Sequence, residues 1–362
     1  MGNVTFENAL NAGTSSVLAG FFFVISFSGL IFNSVLIMII YLDRNLHTIT
    51  NTFIVNLAVS DLITASAVVP FDADFLLRSY YPYGKILCGF KETMFMLSLP
   101  SSVVNLLLLT FERFVATKFP FKKFQYFTTN KVILLITLSW IYTLNSALFP
   151  IYYEGISAVT IKNRICYLTF PDSYAFYQIF GNFVVPVLIM VGIYIFLFST
   201  VHKHKKQIRR NSIKTQLKCK TNHKTIKSIF LLVGNFLVCW LTFIVLATSN
   251  MICNGCHPRV ITWLGNLVIY SNVFINPMLY GLMNKNIRKS LVKRIFIKFC
   301  IYPIQETKSR SNLFPFYATV RNKQTKNSKK HKLEIQNFTQ NHKCNSTEIT
   351  LLNYKLSDNS LL

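Results

Sequence analysis

The sequence predicts an all-α membrane protein, a bundle of seven transmembrane helices followed by a short amphipathic helix. Hydrophobic residues make up 52% of the 362-residue chain and charged residues only 14%, whereas a soluble domain carries about 25% charged residues. The charges are concentrated between and after long apolar runs. Seven of these runs are long enough to cross a bilayer, which takes about 20 residues.

The seven runs, numbered here as spans one to seven, are interrupted by prolines and single polar residues. Such interruptions are tolerated inside a bundle, where neighbouring helices satisfy the freed backbone groups. Spans two and three have the weakest hydropathy, because three aspartates interrupt the one and two glutamates the other. The spans lie at 17–42, 51–78, 86–117, 130–152, 174–202, 224–251 and 259–281.

Basic residues determine the predicted orientation. The linkers after spans one, three and five are richer in Lys and Arg than those after spans two, four and six, and basic linkers stay in the cytoplasm. We therefore expect an extracellular N-terminus over 1–16, a transmembrane domain over 17–283 and a plasma-membrane location. Asn3 begins an Asn-Val-Thr glycosylation sequon on the outer side, although so short a motif also occurs unmodified.

The chain changes character after span seven. Basic and apolar residues alternate over 284–299, a pattern typical of an amphipathic helix that lies on the membrane surface. Cys300 follows it and is either a palmitoylation site or an ordinary reduced thiol. The remainder, 300–362, is polar and basic and is expected to be a disordered cytoplasmic tail.

Other function classes are disfavoured by the same patterns. The net charge of +25 does not indicate a nucleic-acid binder, because the basic residues flank apolar spans, where they meet anionic lipid. Paired broken helices in two matching halves, typical of secondary transporters, do not occur. An enzyme would need a reactive cluster, and the spans contain none. No cofactor is predicted apart from a possible ion.

Polar and aromatic motifs occur in each successive span, where polar groups are costly and usually functional. Together they resemble the rhodopsin-like family of G-protein-coupled receptors over 17–298. The resemblance implies a receptor that binds an extracellular ligand and activates a heterotrimeric G protein when the sixth helix moves outward. The motifs are Asn33, the run from Asn56 through Asp61 to Leu62, Glu112-Arg113-Phe114, Trp140, Pro186 with Tyr194, Phe236 with Cys239-Trp240, and Asn276-Pro277-Met278-Leu279-Tyr280.

Some positions depart from the family pattern. Thr242 replaces the proline usual two residues after the span-six tryptophan, Phe114 replaces the tyrosine of the span-three triplet, and Asn222 stands where many members place an acidic partner for Arg113. Because Thr242 keeps its N–H, we expect either a smaller bend or one caused by its hydroxyl bonding back to the preceding turn. We predict measurable basal activity from the two departures on span six, because Asn222 offers no negative charge to hold Arg113, although the altered bend at Thr242 could act in either direction.

The resemblance implies a sodium site around the mid-membrane carboxylate of Asp61. Oxygen ligands of this kind suit a hard cation, and the ion would act as an allosteric modulator. A water-filled hydrogen-bond network without an ion is the alternative. The implied site residues are Asp61, Ser102, Trp240, Asn272 and Asn276.

The resemblance also implies the residues that couple the receptor to its G protein. Arg113, held by Glu112 at rest, is freed on activation to meet the G protein. Phe121 follows Pro120 in the second inner loop and is expected to dock on the G-protein α-subunit, with lipid anchoring as the alternative. Arrestin and receptor kinases are possible partners of the tail. The coupling set is Glu112, Arg113, Phe121, Tyr194, Asn276, Pro277 and Tyr280.

The cysteines divide between the two sides of the membrane. The resemblance implies a disulfide between Cys88, at the outer end of span three, and Cys166, in the second outer loop, and the outside is the oxidising side. Cys253 and Cys256 are expected to form a short bridge in the third outer loop. A zinc or redox role for this Cys-x-x-Cys pair is the alternative, although no second pair accompanies it.

The resemblance places an aromatic and mostly neutral ligand pocket among seven residues, typical of a small-molecule site. A peptide ligand is the alternative. Amine receptors place Asp at position 95 and opsins place Lys at position 270, so this chain is not a typical member of either group. Acidic residues near the mouth, Asp72, Asp74 and Glu92, either attract a cation or, as we expect, pair with Arg78 or Lys85. The pocket residues are Phe95, Leu99, Trp240, Phe243, Ile244, Asn266 and Tyr270.

Overall fold

The computed structural model describes residues 11–119, 122–162, 164–208, 234–249, 252–253 and 258–294. The chain divides into two compact units, Met1–Ser290 and Leu291–Leu362, and the spans belong to the first. The helices are α1 (Ala12–Leu42), α2 (Ile49–Ala67), α3 (Val69–Arg78), α4 (Gly84–Lys118), α5 (Lys123–Tyr126), α6 (Thr129–Glu154), α7 (Asp172–Phe176), α8 (Val185–Ile208), α9 (Gly234–Ser249), α10 (Arg259–Met283) and α11 (285–294).

The predicted fold class, an all-helical membrane protein, is confirmed. Five of the described helical segments are both long and apolar enough to cross a membrane, and α9 is a shorter apolar helix. With 25 residues α10 is also long enough, but its asparagines lower its hydropathy. Large apolar side chains point outward; Phe27 on α1, for example, is 68% exposed. Such a surface fits lipid rather than water.

Two spans differ from the predicted continuous helices. Span two is broken at Val68, because Pro70 in the first turn of α3 has no N–H to continue α2. Span five begins with α7 and continues through a π-helical stretch, Tyr177–Val184, into α8. Single π-helical turns are frequent at functional sites. In addition, α1 begins at Ala12, inside the predicted extracellular segment 1–16.

The second outer loop contains the only strands in the described part of the chain. A short 3₁₀ turn, Gly155–Ala158, leads into β1 (Val159–Lys162), which pairs antiparallel with β2 (Ile165–Leu168) in a hairpin. The β-branched residues of β1 favour a strand. The hairpin packs against α4 through buried Ala158 and Val159. It was not predicted from the sequence.

A close contact joins α1 to α10. Pro277 has no N–H for the carbonyl of Val273, four residues earlier, and the side-chain amide of Asn33 donates to that carbonyl at 2.7 Å. A Cβ at Gly29 would lie 2.6 Å from a methyl group of Val273. The approach of the two helices therefore depends on glycine at position 29 and on the Asn33 amide.

After α10, the chain turns at Asn284. The Asn284 side chain accepts from the backbone N–H groups of Asn286 and Ile287 and so caps α11. Ile287 is buried. The helix is described to residue 294, and the rest of the predicted amphipathic segment 284–299 lies outside the described residues.

Candidate ligand cavity and coupling site

A cavity of about 180 Å³ lies in the outer half of the first unit, between α4, the π-helical stretch and α9. Three of the predicted pocket residues, Phe95, Leu99 and Phe243, line it, while Trp240, Ile244, Asn266 and Tyr270 do not. Its lining is almost entirely apolar. The lining residues are Phe95, Met96, Leu99, Pro100, Phe170, Ala175, Gln178, Ile179, Phe183, Phe243 and Ala247.

Trp240 lies directly behind the cavity wall. It is buried, stacks on Phe183 with ring centres 4.8 Å apart and meets the Phe243 ring edge-on at 5.7 Å. On its other side it packs on Phe236 at 5.5 Å. A ligand that displaces Phe183 or Phe243 therefore acts on Trp240 through direct ring contact.

A chain of hydrogen bonds fixes the π-helical stretch to α6, and sequence analysis did not identify it. Asn182 accepts from the Tyr142 hydroxyl at 2.6 Å and donates to Gln178 and to Ser146. Gln178 in turn donates to the Tyr174 hydroxyl. Gln178, the one polar side chain among the cavity-lining residues, is thus held by protein partners.

Three charged side chains form what we call the outer ionic cluster: Asp72, Lys91 and Glu92. The Lys91 ammonium lies 2.8 Å from Asp72 Oδ1 and 3.0 Å from Glu92 Oε1. The Tyr270 hydroxyl donates to Asp72 Oδ2 at 2.7 Å. The expected pairing of Asp72 and Glu92 with Arg78 or Lys85 is therefore wrong, because Lys91 is closer on the bundle-facing side of α4.

Asp74 behaves as expected. Its carboxylate pairs with Arg78 at 2.8 Å, one helical turn later, and accepts from the Tyr83 hydroxyl at 2.9 Å. The pair is largely exposed, so it contributes little to stability.

The Asp61 centre, our name for the Asp61 carboxylate with Ser102 and Asn276, lies on α2, α4 and α10. Asp61 is 2% exposed. Ser102 donates to one carboxylate oxygen at 3.3 Å, and the Asn276 amide to the other at 3.4 Å. Both bonds are long, and both partners are neutral. Trp240 and Asn272, the other two residues implied for a sodium site, make no hydrogen bond to Asp61 in the described part.

Several polar atoms near this centre are left without partners among the described residues. They include Asn276 Oδ1 and Ser98 Oγ, both buried oxygens, and the amide nitrogen of Asn272. The Asn272 oxygen accepts from Asn235 at 2.8 Å. A buried carboxylate beside oxygens that lack donors is the chemistry that a hard cation requires. The residues present therefore fit a sodium ion.

A neighbouring network ties α2, α4 and α6 together. The Trp140 indole N–H donates to Asn56 Oδ1 at 2.8 Å, and Asn56 donates to Asn105. Asn105 donates to Ser60 at 3.4 Å. The two motif residues Asn56 and Trp140 thus serve the packing of these helices.

At the inner end, Glu112 is 0% exposed and shared by several groups. Arg113 Nε lies 3.3 Å from Glu112 Oε2, a charge contact without hydrogen-bond alignment. The other carboxylate oxygen accepts from Thr50 at 3.0 Å and forms an ion pair with the ammonium of Lys123 of α5 at 2.6 Å. The predicted Glu112–Arg113 contact exists, but Lys123 is the closer cation.

The two tyrosines of the coupling set do not contact Arg113 through a hydrogen bond in the described part. The Tyr194 hydroxyl lies 3.5 Å from the Thr110 hydroxyl. The Tyr280 hydroxyl is buried and has no hydrogen-bond partner among the described residues. On α9, the Thr242 hydroxyl donates to the carbonyl of Val238 at 2.9 Å, the back-bond that was one of the two alternatives for this residue.

The Cys88–Cys166 disulfide is confirmed, with Cα atoms 5.7 Å apart, and it joins α4 to β2. Tyr81 packs beside Cys88, and burial raises the pKa of its hydroxyl to about 12. Cys253 is disulfide-bonded, while its predicted partner lies outside the described residues. Asn3, Phe121, Cys256 and Cys300 all lie outside them.

Comparison with known proteins identifies the family. The family described as "7 transmembrane receptor (rhodopsin family)" matches this chain over residues 32–280. The alpha-1A adrenergic receptor of Oryzias latipes is 24% identical over 321 residues, 78% of this chain and 67% of that one. The histamine H2 receptor of Canis lupus familiaris is 24% identical over 83% of this chain and 84% of its own. The octopamine receptor beta-2R of Chilo suppressalis is 22% identical over 75% of this chain and 77% of its own. The chain therefore belongs to the rhodopsin family of seven-transmembrane receptors, which are not enzymes.

Proposed function

We propose that this receptor binds an extracellular small molecule in the cavity beside Trp240 and activates a heterotrimeric G protein at its inner face. The observation that carries the proposal is an apolar cavity whose wall residues Phe183 and Phe243 touch Trp240. Its volume of about 180 Å³ is below the roughly 300–1,000 Å³ typical of drug-sized ligands. This size supports a small molecule over a peptide.

Activation starts at the aromatic contacts around Trp240. A ligand that pushes on Phe183 or Phe243 changes the packing of Trp240, which in turn contacts Phe236 one turn further in on α9. Because Trp240 and Phe236 both belong to α9, a change in their packing displaces α9. The ligand favours the displaced state only by its extra affinity for that state.

Displacement of α9 is proposed to release Arg113 from Glu112. The Arg113–Glu112 contact is misaligned, and the Tyr280 hydroxyl has no hydrogen-bond partner among the residues that the structure describes. Tyr194 and Tyr280 then provide hydroxyl groups for the freed guanidinium, and Arg113 turns toward the G protein. Incomplete bonding at rest supports a switch between two states, because each unpaired buried group costs free energy until it is satisfied.

Sodium is proposed to stabilise the resting state at the Asp61 centre. Asp61, Ser102 and Asn276 would hold the ion through their oxygens, and the Ser98 hydroxyl, which has no partner among the described residues, would be available as a further oxygen. The ion would supply the positive charge that the neutral partners lack. These residues would then link α2, α4 and α10 in the resting state.

The remaining assignments are proposals from the sequence alone. They are a plasma-membrane location with the N-terminus outside, docking of Phe121 on the G protein, and binding of arrestin and receptor kinases to the tail over 300–362.

The test is a small-molecule screen against cells expressing the receptor, with activation of each G-protein class as the readout. We expect at least one compound to give a signal that Arg113→Ala abolishes at equal surface expression. Lys122→Gln, a change at an exposed inner-face residue, serves as the matched control and should leave the signal intact. A signal that persists in Arg113→Ala would refute the coupling mechanism.

A further inference from the structure

We propose that the outer ionic cluster is the polar anchor of the ligand site and that Glu92 takes the ammonium group of a small organic cation. This inference rests on the proposed receptor function and specifies the chemical class of its ligand. It is carried by the position of the cluster, its net charge and its way of holding Lys91.

The position of the cluster joins it to the cavity. Phe95 lines the cavity, and the Lys91 ammonium lies 5.8 Å from the centre of the Phe95 ring. Glu92 precedes Phe95 by three residues on α4, so the two side chains lie on one helical face about one turn apart. A ligand with its apolar body in the cavity therefore needs a link of only a few atoms to reach Glu92.

The charges of the cluster do not balance. Asp72 and Glu92 are both carboxylates, and Lys91 is the single cation paired with either of them in the described part of the chain. Both oxygens of Asp72 are bonded, one to Lys91 and one to the Tyr270 hydroxyl. Within the described ranges, Glu92 has no charged partner except Lys91. The cluster thus carries a net charge of about one negative unit, which attracts a cation and repels an anion.

Lys91 itself shows which group fits. Its primary ammonium lies between two carboxylates and beside an aromatic face, the surroundings that favour organic ammonium ions. Burying such an ion cluster adds little stability compared with apolar packing. Ionisable residues inside a span usually have a functional role instead.

The names of three relatives, an adrenergic, a histamine and an octopamine receptor, agree with a cationic ligand. Amine receptors resemble one another in having Asp where this chain has Phe95. The ligand's charged group is therefore placed one helical turn further out, at Glu92, and the Phe95 ring forms part of the apolar wall.

The experiment measures binding to the purified full-length receptor as a rise in its thermal unfolding midpoint. The probes are 2-phenylethylamine with its shorter and longer homologues, each compared with the alcohol of the same length. Because a bound ligand stabilises the folded state by mass action, we expect the amines to raise the midpoint more than the alcohols. In Glu92→Gln, apparent amine affinity should fall about tenfold or more, the usual cost of losing a charged hydrogen bond.

Asp74→Asn is the matched control, since it removes a carboxylate near the mouth that lies outside the cluster; it should keep the amine response. Lys91→Gln removes the positive charge that pairs with both carboxylates, so the amines should bind this variant more tightly than they bind the parent. Misfolding cannot produce such a gain in affinity. Equal effects of amines and alcohols on the parent, or an undiminished amine preference in Glu92→Gln, would overturn the inference. Because this assay needs no G protein, its failure is distinct from a failure of the proposed function, which the signalling screen detects.

Discussion

Two groups of carboxylates are buried in the same bundle, and they are neutralised in different ways. In the outer ionic cluster, Asp72 and Glu92 share the ammonium of Lys91, and Tyr270 adds a short hydrogen bond. Asp61 is more deeply buried, at 2% exposed, but its partners in the described part of the chain are a serine hydroxyl and an asparagine amide, both neutral and both more than 3.2 Å away.

The two sites differ in whether the protein itself supplies a cation for the buried carboxylates. A carboxylate that is taken out of water needs a cation or a proton. The outer cluster has one cation in the chain, Lys91, for its two carboxylates. Among the described residues the Asp61 centre has none, and the buried oxygens that lack partners there support our proposal that a small ion provides the charge. In our proposals the outer cluster keeps one negative charge for an ammonium ligand, whereas the Asp61 centre takes a small inorganic ion.

The largest expected effect comes from removing the built-in cation. Lys91→Met leaves Asp72 and Glu92 facing each other without a counter-charge. Breaking a buried ion pair costs about 3–5 kcal/mol, and we expect the lower end because these side chains are up to 13% exposed. The measurement is the thermal unfolding midpoint of the purified receptor, with exposed Lys85→Met as control. An unchanged midpoint would mean that Lys91 does not neutralise the cluster.

Two tyrosines of α10 sharpen the comparison. Tyr270→Phe removes the hydroxyl bond to Asp72 and should lower the free energy of unfolding by about 1.5–3 kcal/mol, as for hydrogen bonds to charged groups. Tyr280→Phe removes a hydroxyl without a hydrogen-bond partner among the described residues. It should leave stability unchanged or slightly higher, while lowering G-protein activation. Equal losses of stability in both variants would contradict the described hydrogen bonding.

Sodium should act on one group of carboxylates and not on the other. At ten times its dissociation constant, an ion that binds only the folded state stabilises it by about 1.4 kcal/mol. Replacing sodium by the larger potassium ion at equal ionic strength should therefore lower the unfolding midpoint of the parent. Asp61→Asn should abolish this dependence, whereas Asp72→Asn should retain it. A sodium response that survives in Asp61→Asn would exclude the Asp61 centre as the binding site.

Much of the architecture was predictable from the sequence, because most spans are long apolar runs, and five of the described helices are long and apolar enough to cross a membrane. The family resemblance also brought Asp61, Ser102 and Asn276 together correctly. The break at Val68 was detectable in principle from Pro70, and the short hairpin from the β-branched residues of β1.

Side-chain contacts between different helices were less predictable from the sequence. Lys91 was overlooked as the partner of Asp72, because sequence spacing gives the face of a helix but not its rotation toward another helix. The same holds for the Asn182 network, which depends on a π-helical shift that re-aims side chains by a fraction of a turn. Contacts between distant segments require the packed structure.

The inner end of the bundle offers a third arrangement, in which one carboxylate is shared by two cations. Glu112 is bonded to Lys123 at 2.6 Å and to Thr50, while Arg113 makes only the misaligned contact at 3.3 Å. Lys123 belongs to α5 in the second inner loop, next to the segment proposed to dock on the G protein. The contact therefore ties that loop to the arginine switch.

Lys123→Gln is expected to raise basal signalling a few-fold. The Lys123–Glu112 pair belongs to the resting arrangement, so its removal favours the active state by whatever the pair contributes at rest. For a pair with one partner 22% exposed, a contribution of about 1 kcal/mol is reasonable, and this corresponds to roughly a fivefold shift in population. The measurement is ligand-free G-protein activation at matched surface expression. Lys122→Gln changes the neighbouring exposed lysine and should leave the basal signal unchanged. Lys123→Arg keeps the positive charge, so its basal signal should equal that of the parent. A basal signal in Lys123→Gln equal to that of Lys122→Gln would show that α5 does not restrain the switch through Glu112.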